Sequence, residues 1–512
     1  MVLPVTNPTK SYWIEAAESP LRHHRSTSEL PSEADVVIIG SGYSGATTAY
    51  WIHKSTENAA NKPRMVMLEA RDICSCATGR NGGQLRPHAY SRYLPWKERF
   101  GAQGAMELIR HEMSHLPAFK ALAEVEGFAE EVCLKFGETF DAAMTEEAWT
   151  RLKGNYEAMK ADHGEDNEVI KVCKLLEDAI EAEDFTQMKG TLSAVVHPAG
   201  QIWPYKFVHA LLRIVLEAGN FNLQAHTPAQ SVSDRDAEGW ITVTTDRGAI
   251  RTRSVVHSTN RWASHLLPEF SKLITGEKCA MGSIKAPEGF VKHTGSQHWD
   301  SAINNYFLQL PPPYNTVIFG GGRQFLIHKP EECFLNDEED KQVAGFDDFV
   351  KTWPASDIKD WPGPDPAELG KDAGEGGVWT GIESGSADSF PFVGPVPGRR
   401  GQFMAAGFVG HGMPRILGST AHITPLLLEY LETEHKMPSM ADVFPPLPTP
   451  FHATPERVER LVRTADLEAK LKAYREKCAE SAAKPFCHIE RTKMATYSEN
   501  ALERRDSPIG SV

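Results

Sequence analysis

Residues 35–45 read DVVIIGSGYSG. The run Val36 to Ile39 is continuous, apolar and short, which suits a strand buried on both faces. It leads directly into Gly40-Ser41-Gly42-Tyr43-Ser44-Gly45, a GxGxxG pattern, and helix formers follow in SGATTAYWIHK (44–54). RMVMLEAR (64–71) then supplies a second apolar strand over Met65 to Leu68, completing a β–α–β unit with parallel strands. In such a unit the first glycine permits a tight turn, the second lets a pyrophosphate approach the backbone, and the third lets helix and strand pack closely. The helix N-terminus offers free N–H groups to the anion. Glu69 falls 24 residues after Gly45, at the end of the second strand, where a carboxylate can accept both ribose hydroxyls of an adenosine. A glycine-rich turn without a ligand would not need strand, helix and carboxylate to agree.

The 512 residues suffice for two to four domains of ordinary size, or for two larger ones sharing an interface. Asp plus Glu number 68 against 54 Lys plus Arg, a formal charge of −14, so nucleic acid is a poor partner. No apolar run reaches the roughly 18 residues of a membrane span. The N-terminus MVLPVTNPTK has no apolar core after a basic start, so a cytoplasmic protein with no membrane partner is expected. Eight cysteines (74, 76, 133, 173, 279, 333, 478 and 487) show no repeated CxxC spacing, and reduced thiols are expected rather than a disulfide scaffold or a metal site.

The expected fold class is α/β with an α+β substrate part: a Rossmann-like domain with a parallel sheet, interleaved with a mixed or antiparallel-sheet substrate domain. Residues 1–34 are polar and rich in Pro, Ser and His, and read as an arm laid over the surface. Segments 35–102, 190–262 and 377–435 are assigned to the dinucleotide-binding domain. Segments 103–189 and 263–376 are assigned to the substrate or cap domain, with 345–376 read as loop. Residues 436–512 are expected to hold one helix capped by Thr454-Pro455, with Val458, Leu461, Val462 and Ala465 on one face, and a poorly ordered tail beyond Cys478.

NAD and FAD both place an adenosine diphosphate on such a turn. CATGRNGGQLRPHAY (76–90), GIESGSADSFPFVGPVPG (381–398) and FMAAGFVGHGMPRILGSTAHI (403–423) are glycine-dense segments far from it, as gripping a large flat ring by backbone requires. On these residues the chain resembles the D-amino-acid oxidase and glycine/sarcosine oxidase superfamily of FAD-dependent oxidoreductases, and within it the branch containing gamma-glutamylputrescine oxidase and many fungal members. The likeness spans about residues 10–435 and includes PAGQIWPYKFVHALL (198–212), HTPAQSV (226–232) and VVHSTNRW (255–262).

The resemblance implies FAD as cofactor, its adenosine diphosphate held by Gly40, Gly42, Gly45, Glu69 and Arg71, with Ser41, Tyr43, Ser44, Ala70 and Thr78 beside them. Arg80, Asn81, Gly82, Gly83, Gln84 and Leu85 would line the flavin ring, and Gly410, His411, Gly412 and Met413 would meet it from the C-terminal half. Ala229 would face the adenine, with Thr259, Asn260 and Trp262 on the adenine and pyrophosphate side. It also implies the reaction: a hydride leaves the carbon next to the nitrogen of a small amine or amino acid for flavin N5, the imine hydrolyses, and O2 takes the electrons as hydrogen peroxide. A dehydrogenase of the same fold with another acceptor is an alternative, as is a tailoring oxidase acting on a larger secondary metabolite.

Four residues are catalytic candidates. Arg86 precedes His88-Ala89-Tyr90, where relatives carry a carboxylate-binding arginine at a spacing one residue different; an arginine paired with a neighbouring Asp or Glu is the other reading. His411 is either a donor to the flavin or a histidine at a helix start. Tyr306 stands in a possible aromatic wall with Trp203, Tyr205 and Phe307, and Arg323 follows Gly320-Gly321-Gly322 at a strand end, facing ring or solvent. Pro414 and Ile318 stand where sarcosine-type relatives carry lysines, which opens the question of the electron acceptor. Asn81 and Gly381 stand where relatives attach flavin covalently, so a dissociable flavin is expected, with Cys74 and Cys76 as the other sites for a link.

Overall fold

Val36 to Ile39 occupy the middle of a sheet. In the computed structural model, which describes residues 3–370 and 377–484, strand Glu33–Ile39 pairs in parallel with Met65–Leu68 on one side and Gly248–His257 on the other. Parallel pairing extends to Phe221–Gln224 and Gln402–Ala406. Phe392–Pro395, Ile241–Thr245 and Ala229–Val232 complete eight strands with antiparallel pairs. Helix Tyr43–Ser55 packs between helices Pro204–Glu217 and Ile416–Tyr430 on one face, while Val37, Ile39, Val66 and Leu68 pack against Ala229, Ile241 and Val243 on the other. Cover on both faces is why the strands read as unbroken apolar runs. Gly45 has its physical reason here: a Cβ on it would sit 1.9 Å from the Gly40 carbonyl oxygen.

The second sheet has nine strands, in the order Val378–Ser386, Ile274–Lys285, Thr316–Gly321, Asn304–Gln309, Thr294–His298, Lys135–Ala143, Ser193–Gln201 and Gln84–Leu85, with Lys174–Leu176 beside Ser193–Gln201. It is antiparallel except where Thr294–His298 meets Lys135–Ala143. The parallel and mixed sheets are those expected. Their membership crosses the expected boundaries, because Gln84–Leu85, Ser193–Gln201 and Val378–Ser386 all pair in the second sheet. No helix among the described residues is long and apolar enough to cross a membrane.

Three expectations are corrected. Within the arm expected over 1–34, the described residues 3–34 do not all lie over the surface: Tyr12 and Trp13 are at most 1% exposed, in the short helix Tyr12–Glu15, a run too brief to show periodicity in the sequence. Residues 345–376 are not all loop, since Phe346–Asp357 is a helix burying Phe346, Phe349, Val350 and Trp353, a helical spacing masked in the sequence by Pro354. At the C-terminus Val458 and Leu461 are buried but Val462 is 45% exposed, and a second helix, Leu467–Ala482, runs past Cys478. The rest of the expected tail, 485–512, lies outside the described residues.

Candidate active site

A cavity lies between the two sheets, with residues of both on its walls. Gly40, Gly42, Tyr43, Ser44, Glu69, Ala70, Thr78, Ala229, Thr259, Asn260 and Trp262 lie on its wall at the parallel sheet. Gly42 gives helix Tyr43–Ser55 no side-chain cap of its own; Thr78 Oγ1 accepts the Tyr43 N–H at 3.1 Å, and Tyr43 and Ser44 line the cavity, so the helix N-terminus faces it. Glu69 is fixed by three donors: Ser41 N–H at 3.0 Å and Ser41 Oγ at 2.6 Å on Oε2, and Arg71 N–H at 3.0 Å on Oε1. Thr259 Oγ1 is buried with no partner among the described residues, an arrangement that calls for a polar ligand. Asn260 Oδ1 accepts from Ser384 Oγ and from the N–H groups of Gly407 and Phe408, tying this wall to the late glycine loop.

At the other end the wall is formed by Arg80, Asn81, Cys279, Met281, Tyr306, Gly381, Glu383, Gly410, Gly412 and Met413. Gly82 and Gly320 make room for the Tyr306 ring, since a Cβ on either would come within 2.5 Å of it. The N-terminal segment is a strap beneath this loop: Ser11 Oγ donates to the Gly79 carbonyl at 2.6 Å and Trp13 Nε1 to that of Asn81 at 2.5 Å. Arg80 lies on the wall, but its guanidinium grips the Thr9 and Thr380 carbonyls and Glu339. Arg71 likewise turns to Glu339 and the Val5 carbonyl. Ser41, Gly45, Arg71, Gly82, Gly83, Gln84 and Leu85 do not line the cavity themselves; Gln84 donates to the Phe307 carbonyl and Leu85 is 1% exposed.

Cross-strand register fixes which residues share a face with Tyr306. Asp141 is opposite Ser296, Ser296 opposite Tyr306, Tyr306 opposite Gly320, and Gly320 opposite Met281. Directly opposed residues share a face, so Asp141 and Ser296 lie on the face that presents Tyr306 and Met281 to the cavity. Arg86 stands here, its guanidinium donating to Asp141 Oδ1 at 2.6 Å and Ser296 Oγ at 2.8 Å. Asp141 also accepts from His298 Nε2 at 2.5 Å and Tyr90 OH at 2.7 Å. Burial alone would raise the Asp141 carboxyl, but Arg86 and His298 outweigh it and hold it well below the usual range. Arg86→Ala is therefore expected to cost about 2–3 kcal/mol of stability, read by chemical denaturation, by leaving the carboxylate short of a partner.

His411 is held by Glu112, which has no exposure: Oε2 accepts from His411 Nε2 at 3.0 Å and from the His88 N–H at 2.7 Å, and Oε1 pairs with Arg415 at 2.8 Å. The His88 and His411 rings stack, with centroids 3.8 Å apart. Burial lowers both histidines, with His411 lowering His88 further. With Nε2–H donated to Glu112, neutral His411 keeps Nδ1 as an acceptor. Burial likewise lowers His298. Groups so depressed bind fewer protons folded than unfolded between their folded values and the ordinary value near 6.5. Stability measured by denaturant should thus be full above about pH 6.5 and fall as the pH drops below it. Asp141, and Glu112 with its depressed carboxyl, add a further loss below about pH 4.

Arg323 and Arg92 differ from the other arginines here. No hydrogen bond or ion pair among the described residues takes up either guanidinium. Arg323 sits within electrostatic reach of Cys279 and Tyr306, both on the cavity wall. Arg92 is exposed and precedes helix Tyr93–Met113 as its N-cap. Surrounding protein, then Arg151 and Arg415, lower its pKa from the ordinary arginine value, with Glu112 opposing and Arg323 adding to this, and the guanidinium stays charged. Sequence reasoning passed over Arg92, Glu112 and Asp141. A signal existed for two of them: Glu112 continues the buried stripe Ala105, Leu108, Ile109, and a cation at a helix N-terminus opposes the helix dipole.

The chain matches the family model described as FAD dependent oxidoreductase (DAO) over residues 35–424. No curated protein sequence matches it. Among solved structures, glycine oxidase from Geobacillus kaustophilus aligns with a TM-score of 0.61 at 21% identity, covering 83% of this chain and 99% of that one. L-proline dehydrogenase from P. horikoshii aligns at 0.61 and 19%, covering 84% and 99%. L-amino acid deaminase from Proteus myxofaciens, in complex with anthranilate, aligns at 0.61 and 16%, covering 89% and 98%. At these identities the three establish a shared fold. The family match extends over most of the chain, and the chain belongs to the FAD dependent oxidoreductase family.

Proposed function

We propose that this protein oxidises the C–N bond of an amino acid or amine that carries an anionic group. The observation that carries this reading is a group of arginines behind the cavity wall: Arg92, at a helix N-terminus, lies within electrostatic reach of Arg151, Arg323 and Arg415, and Arg323 lies within reach of Cys279 and Tyr306 on the wall, although none of the four lines the cavity itself. Of these four like charges only Arg415 has a carboxylate partner among the described residues, Glu112, and a bound anion would relieve the repulsion among them. The structural neighbours named for amino-acid chemistry, and the likeness to an amine-oxidising branch, support the C–N bond as the target.

FAD, when bound, would supply the acceptor for a hydride, that is for two electrons and one proton. The cavity fits it: the glycine turn, the helix N-terminus, Glu69 and the unpartnered Thr259 hydroxyl provide for an adenosine diphosphate, and the glycines around Tyr306 leave flat walls for a ring. In this reading Arg92 and Arg323 hold the substrate anion, and His411 Nδ1 accepts the proton that an ammonium group must lose before its carbon becomes a hydride donor. Glu112 orients that histidine and stabilises it when charged. Tyr306 and Met281 close the site against water. Oxygen is the proposed acceptor; the absence of lysine at Ile318 and Pro414 keeps a second acceptor in view.

The flavin is expected to be dissociable. Cys76 is pushed up by burial to about 12, and burial raises Cys74 as well, so both thiols stay protonated and poor nucleophiles. Acid or heat should release FAD from the polypeptide, and flavin remaining with the denatured chain would assign a covalent link. An aerobic assay of amino acids against their decarboxylated amines, following peroxide together with the carbonyl product, tests the function. Turnover of the amino acid with equimolar peroxide is expected. Carbonyl product without peroxide would instead identify a dehydrogenase, and turnover confined to uncharged amines would remove the role given to the arginines.

A further inference from the structure

Three side chains from separate segments converge away from the cavity. His23 belongs to the N-terminal strap, Asp72 to the turn after Glu69, and His226 to the connection between strands Phe221–Gln224 and Ala229–Val232. His23 Nδ1 lies 2.8 Å and His226 Nε2 2.9 Å from the same oxygen, Asp72 Oδ1, and the two nitrogens are 3.3 Å apart. A zinc ion with tetrahedral bonds of about 2.0–2.2 Å to imidazole nitrogen and carboxylate oxygen places its ligand atoms about 3.3–3.6 Å from one another. The three atoms stand at or inside that spacing, at hydrogen-bond distances, so an ion entering between them would spread them by about half an ångström.

Their surroundings hold them there. Arg22 Nε donates to the other carboxylate oxygen, Asp72 Oδ2, at 2.9 Å, which fixes the carboxylate plane and leaves Oδ1 to the two histidines. His226 has a left-handed backbone, φ +49°, secured by its N–H donating to the Arg71 carbonyl and by Arg25 Nη2 donating to its own carbonyl. The two rings stack at a 5.6 Å centroid separation. His23 and His226 are 65% and 46% exposed and Asp72 19%, so an ion can enter and retain water in a fourth position. Two imidazoles and one carboxylate form a borderline donor set that suits zinc, with copper and nickel as competitors.

We infer that His23, Asp72 and His226 form a surface zinc site that staples the N-terminal strap to the FAD-binding domain. The strap runs on from this point to the cavity, where Val5 and Thr9 meet Arg71 and Arg80. The site is independent of the redox reading, since none of its ligands lines the cavity.

The test is calorimetric titration of zinc into the full-length, FAD-loaded protein after chelator treatment. One site per chain is expected in the wild type. His23→Ala and His226→Asn should each weaken it by at least about tenfold while leaving FAD content unchanged, Asn being chosen because it tolerates the left-handed backbone. Zinc should raise the thermal midpoint of the wild type and not of the variants. Unchanged zinc affinity in both variants would overturn the inference, as would a wild type that takes up no zinc.

Discussion

Glu69→Arg should purify colourless. The Glu69 carboxylate is held by the Ser41 and Arg71 N–H groups and the Ser41 hydroxyl, and the turn that carries it is braced in turn by the Cys74 N–H donating to Ser41 Oγ at 2.9 Å. An arginine would set a cation against those donors and fill the space of a ribose. Glu69→Ala is expected to weaken FAD binding less completely, by about 1.5–3 kcal/mol for each charge-assisted bond lost, or about ten- to a hundredfold per bond. Absorbance at 450 nm against protein concentration, with and without added FAD, measures both. A yellow Glu69→Arg protein with full FAD content would remove the adenosine from this end of the cavity.

Arg92→Ala should separate activity from stability. If Arg92 holds the substrate anion, its loss should lower the rate of flavin reduction per unit substrate by an amount equivalent to about 2–5 kcal/mol. Arg92→Lys should recover part of that, because it restores charge without the planar fork. The same change removes a positive charge from a helix N-terminus and from a cluster of arginines, so denaturant stability should stay level or rise. Arg86→Ala should do the opposite in its stability, since Arg86 partners a buried carboxylate. A stability loss in Arg92→Ala equal to that in Arg86→Ala would make Arg92 a structural residue.

These two arginines show what the sequence conveyed and where it stopped. The glycine turn, both strands around it and Glu69 were legible because phosphate binding is written in local spacing. Arg86 was legible as a cation beside the flavin loop, but its partner Asp141 comes from a strand 55 residues away, in a segment where Phe140, Asp141 and Ala142 are all buried and no alternation marks the acid. Arg92 was two residues beyond the segment that drew attention, and its isolation depends on Arg151, Arg323 and Arg415, which only folding brings near it. His411 was visible as part of a glycine loop, while Glu112, which sets its tautomer, lay on a distant helix. The N-terminal strap escaped for a different reason: four helical residues carry no period, although Tyr12 and Trp13 are among the most buried side chains of the chain.

Anionic amino acids or amines are expected to reduce an FAD held between the two sheets. The most direct measurement is the visible spectrum of the purified, FAD-loaded protein under anaerobic conditions, before and after addition of amino acids, dicarboxylic amino acids and their decarboxylated amines. Bleaching of the 450 nm band by at least one anionic amine, and slower bleaching by its uncharged counterpart, is the predicted result. A flavin that stays oxidised with every anionic amine, while an uncharged amine or an alcohol bleaches it, would contradict the account.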